Sequence, residues 1–332
     1  MSASSQNRPG QDAIASKGWL AAHKWLLLRR ISQLFILALF MISPWLGIWI
    51  SKGSSSSSSE QEALSLVNTG NLVSSIPTGL TQKAPPSTDV FWIIKGNLSS
   101  SLLLDTVPLT DPYIFLQMLA AGFLPAATAV IGALILAAFY MLIGGRVFCS
   151  WVCPVNMITD GASWARRRFN IKSNHAPHAN TRYWFLAGTF VAAAITGTLA
   201  VEWVNPVSIA HRGLFFGMGA GLWILVALFL YDLFVASRGW CGHLCPMGAF
   251  YSLLGKTALL RVAAPLRDAC DDCMDCFVIC PEPQVIRPAL KKVGQSTPVI
   301  LDSRCTTCGR CIDVCSKQVF RLTHRFDQRS SS

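Results

Sequence analysis

Cys270-Asp-Asp-Cys273-Met-Asp-Cys276-Phe-Val-Ile-Cys280-Pro281 reads C-x2-C-x2-C-x3-C-P without a deviation. Three cysteines two residues apart wrap a loop around one iron-sulfur cubane, and in two-cluster ferredoxins the fourth cysteine ligates the other cluster. A second run follows at Cys305, Cys308, Cys311 and Cys315, with Ser316 in place of the proline, which removes a rigid turn but no ligand. The spacing therefore predicts two [4Fe-4S] clusters, one on Cys270, Cys273, Cys276 and Cys315, the other on Cys305, Cys308, Cys311 and Cys280. Zinc modules usually pair C-x2-C knuckles across a longer gap, so zinc fits this run poorly.

Twelve cysteines in 332 residues would suit a disulfide-rich secreted protein, but all lie between Cys149 and Cys315, in four tight groups. Clustering of that kind points to metal ligation. Only 14% of the chain is charged and 52% is hydrophobic, too apolar a balance for one soluble globule. The net charge of +11 follows the apolar segments rather than forming a nucleic-acid face, so no nucleic-acid partner is expected.

Four uncharged segments approach the roughly 20 residues needed to cross a bilayer: Ile31 to Ile50, Phe123 to Ile143, Trp184 to Val201 and Leu214 to Tyr231. The expected fold is thus an all-α four-helix transmembrane bundle followed by a small α+β ferredoxin domain. Lys and Arg number five in residues 1–30, six in 144–183 and thirteen from 237 onward, against four in the two remaining loops. By the positive-inside rule, this asymmetry predicts a multi-pass protein of the bacterial inner membrane with both termini cytoplasmic.

The expected divisions are a basic N-terminus (1–30), a first span (31–50), a periplasmic loop (51–122) and a second span (123–143). A cytoplasmic loop (144–183), a third span (184–201), a periplasmic turn (202–213) and a fourth helix (214–236) follow. A cytoplasmic segment (237–260) leads into the ferredoxin domain (261–332). The run Ser54 to Ser59 opens a stretch with too few apolar residues for a core, and disorder is expected there. Its apolar continuation reads equally as a surface amphipathic helix or as an ordered loop.

FCSWVCPVNMITD from Phe148 resembles WCGHLCPMGAFYS from Trp240, an internal repeat that ends each helical hairpin in C-x3-C-P. Proline suits the first turn of a helix, so Cys153 and Cys245 are expected at helix N-termini, where the dipole favours thiolate. Cys149, Cys153, Cys241 and Cys245 are candidate redox thiols, but three readings stay open: another metal or cluster, disulfide exchange, or plain packing. His243 and Asp232 are the candidate proton acceptors, Asp232 being expected to snorkel toward water. Arg166, Arg167 and Arg168 suggest an interfacial helix on anionic lipid. No C-x-x-C-H occurs, so no covalent haem is expected, and no G-x-G-x-x-G, so no nicotinamide cofactor in a Rossmann unit.

Through KGWLAAHKWLLLRR, LLLDTVPLTDP, FCSWVCPVNMITD, GWCGHLCPMGA, CMDCFVICPEP and CTTCGRCIDVCS, the chain resembles the NapH-type ferredoxin-type membrane proteins of the periplasmic nitrate reductase system. The stretch from about Gly53 to Gly96 departs from that pattern as an insertion. The resemblance implies a quinol dehydrogenase component that takes electrons from quinol, preferentially ubiquinol, and feeds periplasmic nitrate reductase. It further implies a periplasmic ferredoxin-type subunit (NapG type) and a membrane-anchored multihaem cytochrome c (NapC type) as partners, and the eight ferredoxin cysteines as cluster ligands. The competing reading is a membrane polyferredoxin that serves as a redox assembly or maturation factor.

Overall fold

The computed structural model describes residues 9–53, 94–96, 100–103, 107–171, 175–178, 180–209, 219–292 and 297–327, with side chains 40–53 and several others left aside. The Ser-rich run therefore lies outside the described residues.

The chain opens with α1 (Gln11–Lys17), α2 (Trp19–Ala22) and the 30-residue α3 (Lys24–Gly53). Strands β1 (Ile94–Gly96), β2 (Ser100–Leu103) and β3 (Val107–Thr110) form an antiparallel sheet in that order. Next come α4 (Pro112–Ala120), α5 (Ala127–Ile143), α6 (Val155–Arg168), α7 (Thr181–Thr196), α8 (Ala200–Val204), α9 (Gly219–Leu230) and α10 (Pro246–Leu254). The ferredoxin lobe adds β4 (Leu260–Ala263), α11 (Asp275–Ile279), α12 (Ile286–Lys291), α13 (Arg310–Val314) and β5 (Arg321–His324), with β4 and β5 antiparallel.

The expected transmembrane bundle is not what these residues form. Among the described residues, no helix is long and apolar enough to cross a membrane. Pro125 delays α5 to Ala127, leaving 17 residues, and Gly197, left-handed at φ 62°, stops α7 after 16. The described part of α9 covers 12 residues before a π turn, Tyr231–Val235, replaces it. At 1.5 Å per residue α5 and α7 fall short of a hydrocarbon core of about 30 Å. The predicted first span lies within α3, whose side chains beyond Leu39 are outside the described set.

The charge asymmetry has another origin as well. Arg29, Arg146, Arg166, Arg182, Arg238, Arg261 and Arg310 are all buried. Arg166, expected on lipid, donates from Nη1 to the Asp232 and Leu233 carbonyls at 3.3 and 2.7 Å. Much of the basic count is thus consumed by internal structure.

Two cores organise the molecule. Tyr113, Tyr140, Phe148, Phe250 and Tyr251 fill the helical one, Phe148 stacking on Tyr251 with centroids 5.0 Å apart. Each such ring contributes roughly 1.5–3 kcal/mol by leaving water. Asp111 caps α4, accepting from the Tyr113 amide at 2.8 Å and the Tyr251 hydroxyl at 3.0 Å. Val262, Ile286, Ile300, Val314 and Phe320 build the ferredoxin core.

The N-terminal segment is a strap over that lobe. The Gly10 amide donates to Asp275 Oδ2 at 2.8 Å, and the Trp25 and Leu26 amides to the two oxygens of Asp313 at 3.1 and 2.9 Å. Asp313 thereby places a negative charge at the start of α3, where the helix dipole favours it.

Asp160 in α6 joins strap, helices and ferredoxin lobe. Its carboxylate meets Arg30 at 2.6 Å, Arg310 at 2.6 Å, Arg238 at 3.3 Å and Arg29 at 4.0 Å. Burial pushes its carboxyl up, yet the four guanidinium groups more than offset this and hold it at about 2. Elsewhere, Gly145 touches α10 so closely that a Cβ there would fall 1.9 Å from the Tyr251 carbonyl oxygen.

Asp160→Asn leaves buried guanidinium groups without their counter-charge, and thermal unfolding of the full chain is expected to show a loss of about 3 kcal/mol. A folded value below the unfolded one stabilises above the unfolded carboxyl pKa. The deficit is therefore constant between pH 6 and 8, and a deficit that varies there contradicts the ion-pair account. Gly145→Ala, meeting rigid backbone, should cost about 3 kcal/mol. Gly188→Ala, in open space on α7, should gain up to about 1 kcal/mol; equal melting shifts for the two variants would refute the close approach.

Candidate iron-sulfur centre

Each ferredoxin run turns twice through left-handed backbone. Asp272 and Met274 flank Cys273 at φ 58° and 66°, while Thr307 and Gly309 flank Cys308 at 49° and 72°. These turns bend the loop around a hollow, and for β-branched Thr307 the conformation costs on the order of 1–3 kcal/mol. A Cβ on Gly309 would also lie 2.5 Å from the Trp25 ring, so the strap closes over this loop.

Two pockets result. The first, of about 370 Å3, is lined by Cys270, Cys273, Cys276 and Cys315; the second, of about 360 Å3, by Cys280, Cys305, Cys308 and Cys311. Cys315 and Cys280 have crossed between the runs. Among the described residues, no three His, Cys, Asp or Glu converge on a position for a single metal ion. Four thiols spread around a hollow of this size match the donor set of a cubane.

The pockets differ in charge. Asp271, Asp272 and Asp275 line the first, with Lys291 bonded to Asp272. Arg310 and Glu282 line the second; Arg146 and Arg182 meet Glu282, and Arg29 and Arg238 join Arg310 at Asp160, so guanidinium groups outnumber carboxylates there. Burial and the neighbouring Cys273, Cys270 and Cys315 push the Cys276 thiol up to about 12. At Cys308 burial also pushes upward, but Arg310 and Arg29 outweigh it and the thiol is lowered. Cys276 belongs to the ferredoxin core, and Cys280, Cys311 and Cys315 pack against that same cluster, so the pockets are neighbours.

The two C-x3-C-P motifs share one local fold. Phe148–Val152 and Trp240–Leu244 are each a single π turn, a geometry frequent at functional sites. Cys153 and Cys245 follow in extended backbone, at ψ 119° and 114°, before the next helix begins. Cys149, Cys153, Cys241 and Cys245 converge on a third pocket of about 670 Å3, which also includes Arg146, Arg238, Pro281 and Thr306. Pro281 and Thr306 line the second ferredoxin pocket too, so the two hollows share a wall. Burial pushes the Cys245 thiol up to about 11, while Arg146 and the Gly248 and Met247 amides pull it down.

Sequence reasoning missed the charges that hold this wall. Arg146 Nη1 reaches Glu282 at 2.9 Å and the Arg304 carbonyl at 2.7 Å; its Nη2 donates to the Cys241 carbonyl at 3.3 Å. Arg182 donates to the same Glu282 oxygen at 3.2 Å. Only the position of Glu282, directly after Cys280-Pro281, hinted at it.

Asp232 does not snorkel: it is fully buried, and Oδ1 accepts from the Trp240 amide at 3.2 Å. His243 is half-buried near Glu282, Arg182 and Arg146, and burial lowers its pKa. Neither side chain lines the thiol pocket.

The 4Fe-4S binding domain family matches residues 125–172 and 216–266, and the 4Fe-4S dicluster domain family matches residues 269–319. The ferredoxin-type protein NapH of Escherichia coli is 44% identical over 324 residues, 97% of each chain. NapH of Haemophilus influenzae is 40% identical, with 96% of each chain covered. The methylamine utilization ferredoxin-type protein MauN of Paracoccus denitrificans is 45% identical over 94% of this chain and 95% of its own. No solved structure matches the chain. With its cysteines gathered into four-thiol pockets and its length matched almost end to end, the chain belongs to the NapH/MauN family of ferredoxin-type, iron-sulfur electron-transfer proteins.

Proposed function

We propose that this chain accepts electrons from membrane quinol, ubiquinol in the first place, and passes them through two [4Fe-4S] clusters toward periplasmic nitrate reductase. The carrying observation is the pair of adjacent four-thiol pockets, with crossed cysteines and opposite charge surroundings. Cys270, Cys273, Cys276 and Cys315 would hold one cluster, and Cys280, Cys305, Cys308 and Cys311 the other. Cubanes bound there supply one-electron storage. Quinol gives up two electrons and two protons, so a pair of one-electron centres suits it as donor.

The residues around the pockets set the order of the centres. Negative charge at Asp271, Asp272 and Asp275 opposes an added electron at the first, and positive charge at Arg310, Arg29 and Arg238 favours it at the second. The bacterial inner membrane is the proposed place of work, because quinol is confined to lipid. Exposed apolar side chains such as Leu124, Trp184, Ile195 and Trp223, 94%, 79%, 79% and 73% accessible, support contact with lipid. A NapG-type subunit and a NapC-type cytochrome are the proposed partners. The MauN relatives are as similar as the NapH ones, so nitrate reductase as final acceptor is tested separately, by nitrate reduction in cells lacking this chain. The second reading, a maturation factor, draws support from the four half-buried, free C-x3-C-P thiols.

Asp271→Asn is expected to raise the potential of one cluster signal, and Arg310→Gln to lower that of the other, each by tens of millivolts on the order of. Redox titration of the full chain followed by electron paramagnetic resonance reads both. Shifts of the same signal by both variants would sink the assignment of charge to pocket. For the donor, the anaerobically purified protein is mixed with a ubiquinol analogue. Growth of the cluster signals supports quinol oxidation, whereas reduction by dithionite alone, even with partner subunits added, favours the maturation reading.

A further inference from the structure

We infer that Arg29 is a hydrogen-bond donor to the sulfur atoms of the second ferredoxin site on its Cys308 side, which makes the N-terminal strap part of that redox centre. The guanidinium group of Arg29 is fully buried, and Nε, Nη1 and Nη2 have no hydrogen-bond partner among the described residues. A guanidinium group carries five N–H donors, keeps its proton in a protein and is costly to bury unless acceptors meet it. Orphaned donors of this kind fit an anionic acceptor bound beside them.

Asp160 does not meet that need. Arg30 and Arg310 reach its oxygens at 2.6 Å and Arg238 at 3.3 Å, whereas Arg29 stops at 4.0 Å, beyond hydrogen-bond range. Arg310 bonds both oxygens, at 2.6 and 2.7 Å, and Arg30 bonds one of them, so most of the carboxylate's lone pairs are taken.

The helix face that carries Arg29 shows where its acceptor lies. Residues four apart share a face, so Trp25, Arg29 and Gln33 stand in one row along α3. Trp25 packs against Gly309, where a Cβ would fall 2.5 Å from its ring, and Gly309 directly follows Cys308. Gln33 Nε2 donates to the Ser150 and Cys153 carbonyls at 3.0 and 3.3 Å. Arg29, between them, is set against the wall where the Cys308 loop meets the first C-x3-C-P motif. Ser150 Oγ and Trp151 Nε1 close that wall by donating to the Thr306 and Thr307 carbonyls at 2.8 and 3.3 Å. Burial raises the Cys308 thiol, and Arg310 and Arg29 more than reverse the effect.

Cysteinate and sulfide are acceptors for such donors, and hydrogen bonds to the sulfurs help to set a cluster's potential. Four thiolates outweigh the positive charge of a cubane core, and an added electron makes the loaded site more negative, so a fixed guanidinium group favours the reduced form. Linkage makes the effect reciprocal: a strap that helps to hold the electron is itself held more firmly once the electron is there. The inference rests on a cluster at Cys280, Cys305, Cys308 and Cys311, and it is independent of quinol as donor.

Redox titration of the anaerobically purified full chain, followed by electron paramagnetic resonance, compares Arg29→Met with Arg30→Met. Both remove a positive charge beside Asp160, but Arg30 is partly exposed and already bonded to Gln33 and Asp160. Arg29→Met should weaken the hold on the electron roughly tenfold, a fall of about 59 mV for a one-electron couple. The fall is expected in the signal that Arg310→Gln moves, with the other signal in place and a far smaller effect of Arg30→Met. Equal shifts for the two variants, or a shift of the other signal, overturn the inference. If the variants do not fold, the unaltered chain decides. On reduction by dithionite, hydrogen exchange of the Trp25 and Leu26 amides, which donate to Asp313, should slow roughly tenfold; unchanged exchange overturns the inference. An unaltered chain with no second cluster signal contradicts the cluster reading itself, and the inference falls with it.

Discussion

Asp160 carries one negative charge in a place where four arginines end. Arg29 and Arg30 come from the strap helix, Arg238 from the turn before the second C-x3-C-P motif, and Arg310 from the second ferredoxin run. Burying a guanidinium group is tolerable only when a carboxylate or carbonyl meets it. Three segments far apart in the chain are therefore drawn to one helix, α6. Everything that places the cysteines relative to one another depends on that convergence. Arg146 and Arg182 repeat the device on Glu282, tying the helical core to the residue that follows Cys280-Pro281.

The surplus of positive charge has a second effect. One carboxylate does not neutralise four guanidinium groups, so the second ferredoxin pocket lies in a positive field while three aspartates line the first. Scaffold and electronic environment thus come from the same residues. A lobe held by apolar contact alone would fix the geometry without separating the two pockets in potential.

The most legible part of the sequence was the part whose chemistry is local. Spacing of two and three residues suffices to name which cysteines wrap a hollow, and the αL turns at Asp272, Met274, Thr307 and Gly309 are how the backbone follows that spacing. The C-x3-C-P repeat was visible as a repeat, but its meeting point depends on tertiary packing that no local pattern encodes. Hydropathy misled because it counts apolar residues without weighing what ends a helix: Pro125 and Gly197 shorten two of the four candidate spans. The arginine count does not measure surface charge for a related reason, since a buried Arg182 or Arg310 reads like any surface base until its partner is known. Asp160 carried no signal and Glu282 only its place after Cys280-Pro281, because ion pairs between residues so far apart in the chain leave no periodicity.

The account rests most heavily on the crossing of Cys280 and Cys315 between two adjoining pockets, and magnetic interaction between reduced centres tests it directly. In the fully reduced full-length protein, electron paramagnetic resonance should show split, mutually broadened signals, and Cys276→Ala should simplify the partner's signal to an isolated one. Two independent signals that simply add, unaffected by loss of the other centre, would contradict the crossed arrangement.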